Sequence, residues 1–185
     1  MRKSFGAKPL SYPQPVFILA AYDSKGNPNA MNAAWGGISE ENQISICLSS
    51  NHKTVYDILE TKAFSVSMGT VPQVEACDYV GIVSGNKVPD KIEKAGWHVE
   101  KGAMLDCPII VELPMALECR LIDYDPETCI MRGEIVNVSA DESVLTDGKI
   151  DPKKLQPICF DPCNNAYLAL GEEVAKAFSC GLKLR

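Results

Sequence analysis

The chain has 185 residues, enough for one substantial core and too few for two comfortable ones, so a single domain over 1–185 is expected. Its hydrophobic share of 46% and charged share of 23% lie close to the globular average, which argues against disorder and against a membrane span. A formal net charge of -6 argues against a nonspecific grip on nucleic acid, whose phosphates are held by lysine and arginine.

The N-terminus carries Arg2 and Lys3, but no apolar run follows before Lys8 and Pro9, so no secretory signal is expected. The β-branched and aromatic residues of 15–23 predict a buried strand, ended by the turn residues of 23–28. Its greasiest part, 16–22, is far short of the roughly 20 residues a membrane helix needs, so a cytoplasmic protein is expected. Residues 29–37, NAMNAAWGG, form the next strand candidate, antiparallel to the first, and 44–49 alternates as a third. The period then changes: Val55, Ile58 and Leu59 have helical spacing, with Ser50 or Asn51 as the cap. A strand over 63–68 follows. Thr70 and Gln73 have capping-box spacing with Pro72 in the first turn, predicting a helix over 71–80. A short helix over 90–95, capped by Asp90 and stopped at Gly96, is expected next. Residues 108–124 and 128–139 read as two long strands joined by a turn at 125–127, with Pro114 marking an edge or bulge. A strand over 155–160 and a weak terminal helix over 172–178 complete the chain. Six or so antiparallel strands with short helices between them predict a small, mainly β closed barrel with helical excursions.

The eight cysteines include no C-x-x-C pair, and with two histidines the chain has no structural zinc pattern, so no metal is expected. Cysteines in such a chain serve mostly as small buried apolar residues. Cys159 and Cys163, which bracket Phe-Asp-Pro, are the candidate reactive pair.

Two stretches could carry chemistry. The helix opening at His52, Lys53 and Thr54 has no carboxylate before Asp57, although the positive end of a helix favours anions. Free amides there, the hydroxyls of Ser49, Ser50 and Thr54, and the Lys53 ammonium compose a phosphate pocket; an ordinary capped helix is the alternative. Ser84, Gly85 and Asn86, followed by Lys87 and Lys91, form a second loop able to cover a phosphate or sugar, or simply a solvated loop. No Walker loop, G-x-G-x-x-G or G-x-S-x-G is present. Upstream, Asn29, Ala30, Met31, Asn32, Ala33, Ala34 and Trp35 combine amides, small residues and an indole. That suits either the polar edge of a heteroaromatic ring or a bulged core strand.

In this order, GNPNAMNAAW, SSNHKTVYDI with FSVSM, SGNKVPDKIEKAG, RGEIVNV and PICFDPCNNAYLALG resemble the flavin reductase-like FMN-binding split-barrel family, its short flavoredoxin-type members above all. The resemblance runs over about 16–171. It implies a six-stranded antiparallel split barrel, a homodimer and one FMN near each subunit interface. It further implies phosphate at Ser49, Ser50, Lys53 and Thr54, the ring beside Asn29 to Trp35, Lys91 near the flavin and Tyr167 in the pocket wall. The chemistry would be hydride or electron transfer through FMN, with NADH or NADPH as donor. A pure electron carrier with a redox-protein partner, or a sensor using Cys159 and Cys163, are the alternatives. The chain departs from many relatives at Asn32, Ala33 and Ala34, and has Cys129, Ile130, Met131 and Arg132 where a histidine is common.

Overall fold

A computed structural model describes residues 1–184. In chain order it has strands β1 (Gln14–Pro15), β2 (Phe17–Tyr22), β3 (Pro28–Ala33), β4 (Gly36–Glu40) and β5 (Gln43–Cys47). Helix α1 (Lys53–Thr61), β6 (Ala63–Met68), α2 (Val74–Ile82), α3 (Lys91–Lys94), β7 (Val99–Lys101) and β8 (Pro108–Ile110) follow. The remainder is β9 (Met115–Asp125), β10 (Ile130–Ala140), β11 (Leu145–Thr146), β12 (Lys149–Ile150), α4 (Pro152–Leu155), β13 (Ile158–Asp161) and β14 (Ala166–Ala169). A seven-stranded antiparallel sheet, ordered β3-β2-β6-β9-β10-β5-β4, curls into a half barrel, so the mainly β architecture expected from the sequence is present.

β2 is apolar throughout because both of its faces are covered. Phe17, Leu19 and Ala21 join Val55 and Ile58 of α1, with Phe64 and Val66 of β6, in one core. Ile18 and Ala20 join Cys77 and Val80 of α2, together with Ile92, Trp97 and Ile110, in the other. A strand buried on both sides has no polar face to alternate. β3 lies beside β2 at the end of the sheet, so alternate residues turn unpaired backbone groups outward. α2 lies across β3 closely enough that a Cβ on Gly81 would stand 2.9 Å from the Cβ of Asn32.

Several local expectations need correction. The N-cap of α1 is His52 with no side-chain cap, because Asn51 Oδ1 accepts from Ser49 Oγ at 2.9 Å instead of from the helix. The Thr70 and Gln73 capping box does not form: Thr70 bridges Pro157, and Gln73 Oε1 accepts the Trp97 indole N–H at 2.8 Å. The first turn there is 3₁₀, Val71–Gln73, and α2 begins after it. Likewise Asp90 makes no side-chain cap on α3. The single strand expected over 108–124 is two, because a turn ending at Pro114, which has no N–H, separates β8 from β9. The expected helix over 172–178 is absent. Val174 and Phe178 lie fully exposed there, and a helix of so few residues without a packed face is not stable. The single strand expected over 29–37 is likewise two, β3 ending at Ala33 and β4 opening at Gly36, and β7 and β14 were not legible as strands; each is short and is completed by a distant or turn-linked partner.

One buried charge holds the loop between β7 and β8. The Glu118 carboxylate, on β9, accepts from the backbone N–H of Met104 and Leu105 at 2.8 Å each and of Ala103 at 3.2 Å, and from Asn137 Nδ2 at 2.7 Å. Burial by itself raises its pKa; the Asn137 amide and the three backbone donors outweigh that and leave it below the usual carboxylate value.

Candidate functional site

A cleft of about 280 Å³ opens between β3, the start of α1, the end of α2 and the loop that follows it. Asn29, Met31 and Asn32 line it from the sheet edge, Asn51, His52, Lys53 and Thr54 from the helix start, and residues 80–85 with Lys91 from the far side. The helix start is chemically open. No acid lies in its first turn, and no protein acceptor faces the backbone N–H of Lys53 or Thr54 among the described residues. An anion would complete those donors and the helix dipole. Thr54 Oγ1 accepts from Asn29 Nδ2 at 2.8 Å, which leaves its hydroxyl proton for a ligand.

Asn29 anchors the opposite side. It is 3% exposed, and its Nδ2 also donates to Asp57 Oδ2 at 3.2 Å. Its Oδ1 is buried without a hydrogen-bond partner among the described residues. The orientation of the amide is set by chemistry: an ionised carboxylate only accepts, so the nitrogen must face Asp57 and the oxygen must face away. The oxygen points at Gly85, where a Cβ would overlap it and approach Lys53 Cδ at 3.1 Å. A buried acceptor without a donor is costly, and the missing Cβ of Gly85 is what lets the loop close over it.

Lys91 is buried and donates through Nζ to the carbonyls of Val80 at 3.1 Å and Val83 at 3.0 Å, the unsatisfied end of α2. Burial first, and the Lys53 charge second, push its pKa down to about 8, against an opposing pull from Asp57. The sign follows from linkage. Below about pH 8 the ammonium is charged both folded and unfolded, so the cost of burying it is complete. Between about 8 and the ordinary 10.5 the folded state sheds the proton first, and stability rises with pH. The unfolding free energy of the wild type minus that of Lys91→Met is therefore expected to increase by at most about 3 kcal/mol across this window. Urea titrations of both proteins check it; a flat difference would place the ammonium in a solvated setting.

The other expected site residues are dispersed. Ala30 and Ala33 are buried in the two cores, and Ala34 is half-buried beyond the end of β3. Trp35 is 51% exposed and is not part of the cleft lining; its carbonyl accepts from Cys47 N–H at 2.7 Å. Ser49 and Ser50 are exposed on the approach to α1. Tyr167 is not part of the cleft lining and donates to Asp78 Oδ1 at 2.7 Å, while Asn32 donates to the Cys77 carbonyl at 3.1 Å. Cys159 is half-buried within β13 opposite Leu168, whereas Cys163 is exposed in the turn beyond it. Asp57 was not singled out, although its place four residues after Lys53 is the spacing of a helical ion pair. No group of three or more metal-ligating side chains occurs, and no helix is long and apolar enough to cross a membrane, among the described residues.

A sheet edge and an uncapped helix start flank one cleft, an arrangement that presents unpaired backbone groups to an anionic, hydrogen-bonding ligand. The chain belongs to the flavin reductase like domain family, whose model matches residues 10–155, and this sets it among the flavin-binding redox proteins. Flavoredoxin of Desulfovibrio vulgaris (Miyazaki F) is 40% identical, with a TM-score of 0.93 over 98% of this chain and 100% of that one. Flavoredoxin from Methanosarcina acetivorans is 28% identical, with a TM-score of 0.89 over the whole of both chains. An uncharacterized protein of Aeropyrum pernix is 26% identical over 111 residues, 59% of this chain and 41% of that curated relative's length. The fold is the split barrel of these flavin proteins.

Proposed function

We propose that the protein is an FMN-binding oxidoreductase that passes hydride or electrons through the flavin, with NADH or NADPH as donor. The observation that carries this is the uncapped start of α1, whose Lys53 and Thr54 N–H groups meet no protein acceptor among the described residues and which lines the same cleft as the sheet edge at Asn29 and Met31. A flavin mononucleotide offers a phosphate for the helix start and a polar ring edge for the unpaired backbone groups of β3. When bound, the flavin supplies the capacity to accept and release a hydride or electrons. The chain's part is to bind and orient. The backbone N–H groups of Lys53 and Thr54, with the hydroxyls of Ser49, Ser50 and Thr54, hold the phosphate; the outward backbone of β3 and the Asn29 amide meet the polar parts; Lys91 closes the far wall. A homodimer with FMN near the subunit interface accords with the half-exposed Trp35 just before β4 and the exposed Ile38 within it.

The purified protein is expected to be yellow, at close to one FMN per chain; a colourless protein that takes up no FMN overturns the proposal. Anaerobic mixing with NADH and with NADPH then separates the activities. Rapid bleaching by either identifies a reductase. The likeness to two flavoredoxins supports a second reading, an electron carrier, for which both nucleotides are inert and a reduced redox protein bleaches the flavin.

A further inference from the structure

Asn32 shares the α2-covered face of β3 with Ala30, and its side chain answers that helix. Its Nδ2 donates to the Cys77 carbonyl at 3.1 Å, and because a carbonyl only accepts, the nitrogen must face that carbonyl and Oδ1 must turn away from it. No protein donor reaches Oδ1 among the described residues. Asn32 is half-buried in the cleft lining, and its oxygen keeps accessible surface, unlike the enclosed oxygen of Asn29. One residue further along α2, Asp78 Oδ1 accepts from the Tyr167 hydroxyl at 2.7 Å. With its proton committed there, the phenol oxygen can only accept. The Asn32 amide lies near enough to act on it: burial first and the Asp78 carboxylate next push the phenol's pKa up, while Asn32 pulls it down, the sign of an N–H donor. Turning the amide over would set its oxygen against two acceptors.

We infer that Asp78 and Tyr167 are positioning residues acting through Asn32: by keeping the Tyr167 oxygen an acceptor they hold the amide nitrogen inward and leave Oδ1 in the cleft to accept from the imide N–H of the flavin ring. This rests on the flavin reading above and adds a selection to it. An N–H flanked by carbonyls is what this part of the cleft recognises, and a ring methylated at that nitrogen loses the bond while the helix start still holds its phosphate. Neither Asp78 nor Tyr167 lines the cleft, so both act at one remove from the ligand.

The test is a fluorescence titration of FMN, and of FMN methylated at the imide nitrogen, into the full chain freed of flavin. The wild type is expected to bind FMN about tenfold or more tightly than the methylated ring. Asn32→Ala removes the acceptor and makes room for the methyl group, and its preference is expected to fall below about threefold. Tyr167→Phe and Asp78→Ala release the amide without touching the ligand; each is expected to reduce the preference at least about twofold, through weaker binding of FMN. Asp78→Asn, whose amide oxygen still accepts the phenol proton, is expected to restore it. Each preference is a ratio within one variant, so any loss of folded protein cancels. A wild type that binds both flavins alike, or an Asn32→Ala protein that keeps the full preference, overturns the role of the Asn32 oxygen. Tyr167→Phe and Asp78→Ala proteins weakened equally toward both flavins overturn the positioning role. Either result leaves the flavin reading intact, whereas a wild type that takes up neither flavin overturns that reading as well.

Discussion

Replacing Glu118 with alanine is expected to lower the unfolding free energy by about 2–4 kcal/mol, the largest single-residue effect outside the apolar cores. The carboxylate is 1% exposed and serves four donors, three of them backbone N–H groups of one loop. Without it those donors face a cavity, and each buried group left unpaired costs on the order of 1–3 kcal/mol, reduced where water reaches the loop. For a chain of this size the melting temperature should fall by roughly 10 °C. The loss also carries a pH signature. A carboxyl whose folded pKa is depressed contributes fully above its ordinary value of 4.5 and loses that contribution as pH falls through the lower folded value. The difference between wild type and Glu118→Ala should therefore be constant near neutrality and shrink below about pH 4.5, which urea unfolding at a series of pH values measures. A pH-independent difference would mean that packing, and not the charge, matters there. Gly102→Ala should reproduce part of the loss, since its Cβ would stand 2.6 Å from Glu118 Oε2.

The second large effect falls on binding. Gly85→Ala is expected to weaken flavin binding at least about thirtyfold, roughly 2 kcal/mol, because its Cβ would occupy the space the Asn29 oxygen now faces. Asn29 has little freedom to yield, since its nitrogen is tied to both Thr54 and Asp57. The overlap costs stability as well, so a companion variant separates the two. Gly85→Ala combined with Asn29→Ala removes the clash and should recover much of the melting temperature, yet it leaves Thr54 and Asp57 without their amide partner and should stay poor in flavin titration. If the double variant regained wild-type affinity, the Asn29 tie between β3 and α1 would not be needed to shape the cleft.

The strands over 17–22 and 63–68 and the helix after residue 52 could be read locally, because side-chain period and apolar content are properties of consecutive residues. The two amide-bearing and cationic stretches that meet at the cleft were legible for the same reason: an unbalanced helix start and an asparagine-rich strand are visible without knowing their partners. The division of 108–124 into two strands was not, although Pro114 marked the place, because β8 is completed by β7 and β9 by β6 and β10.

What this sequence determined by itself is a mainly β chain with an anion-seeking helix start and the ordered motifs of a flavin family. Only the tertiary structure decided which groups answer one another. Asn29 meets Thr54 and Asp57, 25 and 28 residues away, and Tyr167 meets Asp78 across 89. It likewise left Trp35 outside the cleft lining, and it paired Lys53 where the helix start alone suggested a free charge. The physical reason is that propensity and periodicity act between neighbours in sequence. Hydrogen-bond partnership and charge compensation depend on distances of a few ångströms that exist only once β3, α1 and α2 have packed together.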